Sequence, residues 1–445
     1  MEANVEIINK QIIKPSSSTP NHLKNFKLSL LDQLAPVCYG PLLFFYSNIT
    51  AQKSVAEISG DLKKSLSLTL THFYPLAGRI KNDDAVVECN DDGVVWVEAK
   101  VNSVLSAFLE NPDAETIRNF IPVEIESPEA KIGSLVQVQA TFFRCGGFAI
   151  GVCVSQKISD AVTAMTFINE WAAAAAAATG IRSASSPIKN AASVFPPQKF
   201  SFTKPPAKLK KEVYTTKRFV FNVDKIAALK ARSVTENVKN PTRVEAVTGL
   251  IWKCAMNASR SNKDHSRLSI FSQSVNIRRR TVPPLPEKTL GNLAGHFASQ
   301  ATESEIELGS LVDELRKGLV KFGENYVKKL TGNNSIEAIS ESFREAGMML
   351  EEGNIDFYIS TSLCRFPFYR IDFGWGKPEW VTIPSGGIKN LIVMLDSKDG
   401  DGIEAWITLT EEDMAFFERD HELVEAADLN PAVNCSKSVR ITSSL

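Results

Sequence analysis

The feature that most constrains this chain is a break near its middle. Residues 183 to 215 run through Ser183-Ala-Ser-Ser-Pro187, Val194-Phe-Pro-Pro-Gln198 and Lys204-Pro-Pro-Ala-Lys-Leu-Lys-Lys211, with no helical or strand period. Proline, serine and lysine in this density read as an exposed crossover, and Lys208, Lys210 and Lys211 as its solvated face. At 445 residues the chain is also too long for one ordinary core. The expected division is therefore residues 1–182, a crossover at 183–215, and residues 216–445.

Each half mixes strand and helix signals, which indicates an α/β architecture. In the first half, Leu135 to Ala140 alternates like a half-buried strand. Cys145-Gly-Gly147 then turns the chain into a returning strand, Phe148 to Ser155. Ser159 or Asp160 is placed to cap a helix through Met165, Ile168 and Trp171 into a polyalanine stretch. In the second half, strands are expected at Lys217 to Phe221 and Leu268 to Val275, and helices after Asn222, around Val247 to Trp252, at 305–330 and at 335–351. Asp399-Gly-Asp-Gly402 lies between Leu391–Leu395 and Ile403–Ile407 and predicts a hairpin, after which Thr410 caps a helix.

Composition narrows the function classes. Fifty basic residues stand against 51 acidic ones, so no broad field for nucleic acid or an anionic membrane is expected. Cys38, Cys89, Cys145, Cys153, Cys254, Cys364 and Cys435 are odd in number and scattered, which speaks against a disulfide framework and a zinc site. The chain opens without a basic segment followed by an apolar one, and its apolar runs are too short to span a bilayer. It is read as cytoplasmic, with the sequons at Asn48, Asn257, Asn333 and Asn434 unused. Ser443-Ser444-Leu445 is a weak likeness to a peroxisomal address and the lesser alternative.

Three tempting motifs reduce to turns. Asp372-Phe-Gly374 lacks the companion loops of a kinase. Asp396 to Glu404 puts Lys398 and Gly400 where a calcium loop needs oxygen ligands. Cys145 to Gly151 lacks the spacing and context of a dinucleotide loop.

Other segments share an order and spacing. They are Asn21 to Ser29 with Leu31-Asp-Gln-Leu34, Phe73-Tyr-Pro-Leu-Ala-Gly-Arg79, Cys89-Asn-Asp-Asp-Gly-Val94, Gln156-Lys-Ile-Ser-Asp160, Val275-Asn-Ile-Arg278, Leu290-Gly-Asn292 and Asp372-Phe-Gly-Trp-Gly376 with Lys377-Pro378. Over the whole chain this set resembles the BAHD plant acyltransferases, especially their vinorine synthase-like branch of alkaloid acetyltransferases. The resemblance implies two similar mixed-sheet domains of the chloramphenicol acetyltransferase-like type, with a substrate tunnel between them. It implies a single chain using acyl-CoA, with acetyl-CoA first in expectation, as co-substrate and holding no permanent cofactor. The second substrate would be a small alcohol or amine, with no nucleic acid or membrane partner. Asp160 paired with Arg278 would be structural, as would Asp372, Gly374, Trp375 and Gly376, with Trp375 packed in the core. Asn292 and Thr361 would lie at the substrate.

Two positions depart from the family pattern. Where the family motif His-x-x-x-Asp keeps its general base, this chain has Gln156. A glutamine amide orients a hydroxyl but cannot hold its proton, and loss of a positioned base costs about 10² to 10⁴ in rate. Where the family keeps Thr-Ser-Trp, this chain has Thr361-Ser-Leu363, and leucine cannot donate to an oxyanion. Losing one such donor costs about 10² to 10³.

Of the five histidines, His265 reads as a surface loop, His421 follows an acidic helix, and His72 reads as packed. His22 lies in the first of the segments above. His296 lies four residues after Asn292, so in a strand the two side chains share a face. It is the candidate to replace the base, set against a plain interior histidine. Cys153 reads as a small buried hydrophobe rather than a nucleophile. Three activities stay open: acyl transfer, an elimination or cyclisation of one bound substrate in the same pocket, and a non-catalytic ligand-binding role.

Overall fold

The computed structural model describes residues 4–47, 53–81, 85–177, 188–199, 213–261, 267–302, 306–326, 355–385 and 387–433. Most of the crossover lies outside these residues, as do His265, the 335–351 helix, Cys435, the terminal tripeptide, and the sequons at Asn48, Asn333 and Asn434.

Two mixed sheets organise the described residues. The first orders its six strands as Val5–Ile13, Val94–Val101, Val136–Phe143, Phe148–Ser155, Tyr39–Tyr46 and Trp380–Thr382. The second orders seven as Ala294–Ala301, Leu268–Asn276, Ile355–Ser362, Leu391–Asp396, Ile403–Thr410, Tyr214–Phe221 and Asp428–Leu429. Parallel pairs in both sheets, such as 94–101 with 136–143 and 268–276 with 355–362, fit the α/β expectation.

The halves are not closed at the expected boundaries. Trp380–Thr382, from the second half, pairs with Tyr39–Tyr46 at the edge of the first sheet. Phe373, Trp380, Val393 and Trp406 join the first core, while Leu30, Leu31, Ala191 and Phe195 join the second. Part of the crossover is therefore packed, and the leucine N–H of Leu30 donates to Phe195 O at 2.9 Å. Composition marked the crossover but carried no sign of this exchange, because a three-residue edge strand has too little pattern to read.

Several elements form where their chemistry places them. Asp160, not Ser159, caps the helix Ala161–Ala176, accepting from Thr163 N–H at 2.9 Å. Asn222 caps Val223–Arg232 and Thr410 caps Glu411–Phe417 in the same way. The 391–396 and 403–410 strands pair antiparallel across the Asp-Gly turn. Within the expected 305–330 helix, the described residues form an α-helix over Leu308–Lys321 and a π turn over Phe322–Tyr326, and residues 305 and 327–330 lie outside the described residues.

Two expectations are corrected. The 136–143 strand is buried on both faces rather than one. Gln137 and Gln139 lie inside because each amide is satisfied, donating to Tyr39 Oη at 2.9 Å and to Asn119 O at 2.9 Å. His72 is exposed at the end of the helix Val55–His72.

Candidate active site

The motif 156–160 sits where the first sheet meets the second half of the chain. The 148–155 strand ends in a turn, with Ile158 N–H donating to Ser155 O at 3.2 Å and Gln156 N–H to Cys38 O at 3.0 Å. Gln156 is half-buried, and its side chain lies beside Gly40. Its amide takes no hydrogen bond from the described residues, whereas its main-chain carbonyl accepts from Asn292 Nδ2 at 2.9 Å.

At the other end of the motif both carboxylate oxygens of Asp160 are engaged. Arg278 is fully buried and donates from Nη1 to Asp160 Oδ2 at 2.5 Å and from Nη2 to Asp160 Oδ1 at 3.1 Å. Its Nη2 also reaches Thr163 Oγ1 at 3.0 Å and Thr289 O at 2.9 Å. Asp160 Oδ2 further accepts Leu293 N–H at 3.0 Å. A buried pair with this many extra bonds meets the condition under which burial of two charges is tolerated.

Asn292, expected at the substrate, is buried with its amide already committed to Gln156 O. Its N–H donates to Asp32 Oδ1 at 2.5 Å. Asp32 belongs to the Leu31-Asp-Gln-Leu34 segment, to which the sequence assigns no site role. It shares a capping box with Ser29 at the start of the short helix Leu30–Leu34, a signal present in Ser29-x-x-Asp32. Lys157 is also buried, its ammonium donating to Gln33 O at 2.7 Å.

Two further expected site residues, His296 and Thr361, lie on strands of the second sheet. His296 pairs with Ser274, and Gln273 with Ser360, so Thr361 lies one position on, in line with Ser274. Neighbouring strands stand about 4.8 Å apart, which puts His296 and Thr361 roughly 10 Å from one another on one face. His296 Nδ1 lies 3.4 Å from Ser274 Oγ. The imidazole keeps an exposed face, yet the surrounding protein displaces enough water to push its pKa below the ordinary value. It is thus suited to be neutral at neutral pH. Leu363 is buried in the first core, and its N–H donates to Met394 O at 2.8 Å.

Between the 161–176 helix and the turns at 276–287 and 364–367 lies a recess of about 430 Å³. Arg279, Arg280 and Arg365 line it together with Asn276, Thr166 and Cys364. Arg279 is paired with Glu287, but the Arg280 guanidinium donates to Asn276 O and forms no ion pair among the described residues. Burial pushes the Cys364 thiol up to about 12, so it stays protonated, and Cys153 is pushed up likewise.

The 372–376 block lies elsewhere. Asp372 Oδ1 accepts the N–H groups of Gly374 at 2.8 Å and Gly376 at 2.9 Å, and both glycines have positive φ, +103° and +111°. Phe373 stacks on Trp375 and meets Trp171 edge-on at 4.8 Å. Trp375 is half-buried rather than fully packed.

The Transferase family model matches residues 3–424. The chain belongs to the BAHD acyltransferases. BAHD acyltransferase BIA1 of Arabidopsis thaliana is 39% identical over 97% of this chain and 100% of its own length. Stemmadenine O-acetyltransferase of Catharanthus roseus is 36% identical over 94% and 97%. The crystal structure of vinorine synthase superposes with a TM-score of 0.82 at 34% identity, covering 97% of this BAHD chain and 100% of that one. No described helix is long and apolar enough to cross a membrane, and no described group of His, Cys, Asp or Glu could hold a metal ion.

Proposed function

We propose that this BAHD enzyme transfers an acyl group, acetyl first, from CoA to a hydroxyl or amine of a small alkaloid-type metabolite through an altered centre. It would work as a single chain in the cytoplasm, the place its scattered, odd cysteines favour. The observation that carries the reading is the bonded frame from Arg278 through Asp160 and the 292–293 amides to the Gln156 carbonyl. A frame of this kind holds position 156 as a reacting position needs to be held.

Gln156 then orients the acceptor by hydrogen bonding. Proton removal falls to the neutral His296, to a substrate amine that is already nucleophilic, or to solvent. In the recess beside the frame, Arg280 and Arg365 suit the phosphate-bearing end of the donor, since guanidinium groups bind phosphate by paired hydrogen bonds. Leu363 gives the oxyanion no side-chain donor, so a slower reaction than the family's usual one is expected.

A second reading, elimination or cyclisation of one bound substrate, is favoured by Gln156 and Leu363. Such a reaction needs neither a base at 156 nor a thioester. Thiol release from acetyl-CoA across a panel of alcohols and amines, with calorimetric titration of CoA, separates the two. Absence of both release and binding removes the acyl-transfer reading.

A further inference from the structure

The carboxylate of Asp32 has no place in the proton transfer proposed above, yet it is only 1% exposed. No described residue forms an ion pair with it. Ser29 donates to Oδ2 from both its N–H and its hydroxyl, each at 2.7 Å, and Asn292 N–H donates to Oδ1 at 2.5 Å. The capping box needs only the first oxygen. The second oxygen is spent on the opposite half of the chain. A Cβ on Gly291 would stand 3.3 and 3.4 Å from the two oxygens, so the 291–293 segment passes directly over the carboxylate.

The amides of 292 and 293 are thus held by two carboxylates of the first half, Asp32 and Asp160. Between them, the Asn292 side chain reaches the Gln156 carbonyl. We infer that Asp32 is a positioning residue of this centre: by holding the Asn292 amide it sets where Asn292 holds Gln156, and it makes that grip sensitive to acid. The activity arm of the test rests on the acyl-transfer reading; the positioning itself does not.

The charged groups around Asp32 are few. Asp160 faces it from the cap of the 161–176 helix and is bonded to Arg278 from the second half. Lys157 comes from the intervening turn and donates to the carbonyl of Gln33. Burial dominates and pushes the Asp32 carboxyl up to about 6, against the lowering effect of the three donors. Protonation removes the negative charge from the group that these three donors face, so each charge-assisted bond, the one from Asn292 N–H included, is weakened. The raised value also means that the ionised form is disfavoured by folding, and the contribution of Asp32 to stability falls as pH rises from 3.8 to about 6. A buried carboxylate whose second oxygen is bonded across to the other half of the chain points to positioning work rather than to packing.

The test uses full-length wild type, Asp32→Asn, Asn292→Ala and the double variant. Hydrogen exchange over 289–301, corrected for intrinsic rate, should show wild-type protection falling several-fold below about pH 6. In Asp32→Asn it should be low and flat with pH, while the melting temperature at pH 7.5 is unchanged or higher. Thiol release from acetyl-CoA, with the panel alcohol of highest turnover, should lose about tenfold in kcat with KM for acetyl-CoA within about twofold. The double variant should fall no lower than Asn292→Ala alone. Should Asp32→Asn not fold, Ser29→Ala removes one donor from Oδ2 and should move the acid midpoint of protection upward. Protection in the wild type that ignores pH, or a loss in Asp32→Asn shared by the whole chain together with its melting temperature, overturns the assignment. If acetyl-CoA neither binds nor releases thiol, the acyl-transfer reading fails and the exchange measurement alone decides on Asp32.

Discussion

The two ends of the five-residue motif at 156–160 have opposite characters. Asp160 is saturated: a bidentate guanidinium, a helix amide and the Leu293 amide all converge on one buried carboxylate. Gln156 is held only through its main chain, and its amide is left to face whatever enters beside it. Four residues apart, one end is a joint between the halves of the protein and the other is an open position. The difference teaches that the frame is built from bonds that leave the Gln156 side chain out, which is what the proposed separation of architecture from chemistry rests on.

Breaking the joint should give the largest effect. Arg278→Ala leaves Asp160 buried without its partner, and removal of one member of such a pair costs about 3–5 kcal/mol. Denaturant unfolding should show a loss of that order or failure to fold, and a loss below about 1 kcal/mol would mean that the joint is not structural. On the open side, His296→Ala should lower kcat for thiol release by about 10² if the imidazole takes the proton. Its pKa is lowered, so below pH 6.5 the neutral form favours the folded state. Stability therefore falls as pH drops from 6.5 toward the folded pKa, and His296→Ala should remove that part of the slope. Unchanged kcat and slope would remove His296 from the mechanism.

At the donor recess, Arg280→Ala combined with Arg365→Ala should weaken CoA binding by about tenfold or more. A charge-assisted hydrogen bond is worth about 1.5–3 kcal/mol. Pantetheine lacks the phosphates of the nucleotide end, so its weaker binding should not change; calorimetry with both ligands reads this. Asp372→Ala should have the smallest effect. Two exposed hydrogen bonds to the single acceptor Asp372 Oδ1 are lost far from Gln156, so stability should drop by about 1 kcal/mol with kcat unchanged.

These contrasts also mark what the sequence could tell. The Asp160–Arg278 pair is expected from the family resemblance, through motif matches at both positions, and the two residues are bonded in the fold. The hairpin at Asp399 to Gly402 and the caps at Asn222 and Thr410 were readable because one side chain satisfies one local amide. The Trp380–Thr382 exchange was not, since pairing with Tyr39–Tyr46 is decided by residues more than 300 positions away. The burial of Gln137 and Gln139 was hidden for a similar reason: alternation records polarity, while burial depends on whether an amide finds a partner. The family resemblance places Asn292 at the substrate, and its local sequence carries no sign of its hydrogen-bond partners. Its amide turns out to serve the main chain, and Asp32 behind it was masked by its ordinary role in a capping box.

The separability of frame and chemistry has one direct test. Gln156→His and Leu363→Trp are to be made singly and together, and thiol release from acetyl-CoA measured with the same acceptors. If the frame already holds position 156 correctly, the double variant should gain at least about 10² in kcat over the wild type, with CoA affinity unchanged. No gain in a double variant that folds and binds CoA as the wild type does would contradict it, because the frame would then no longer present position 156 to a thioester.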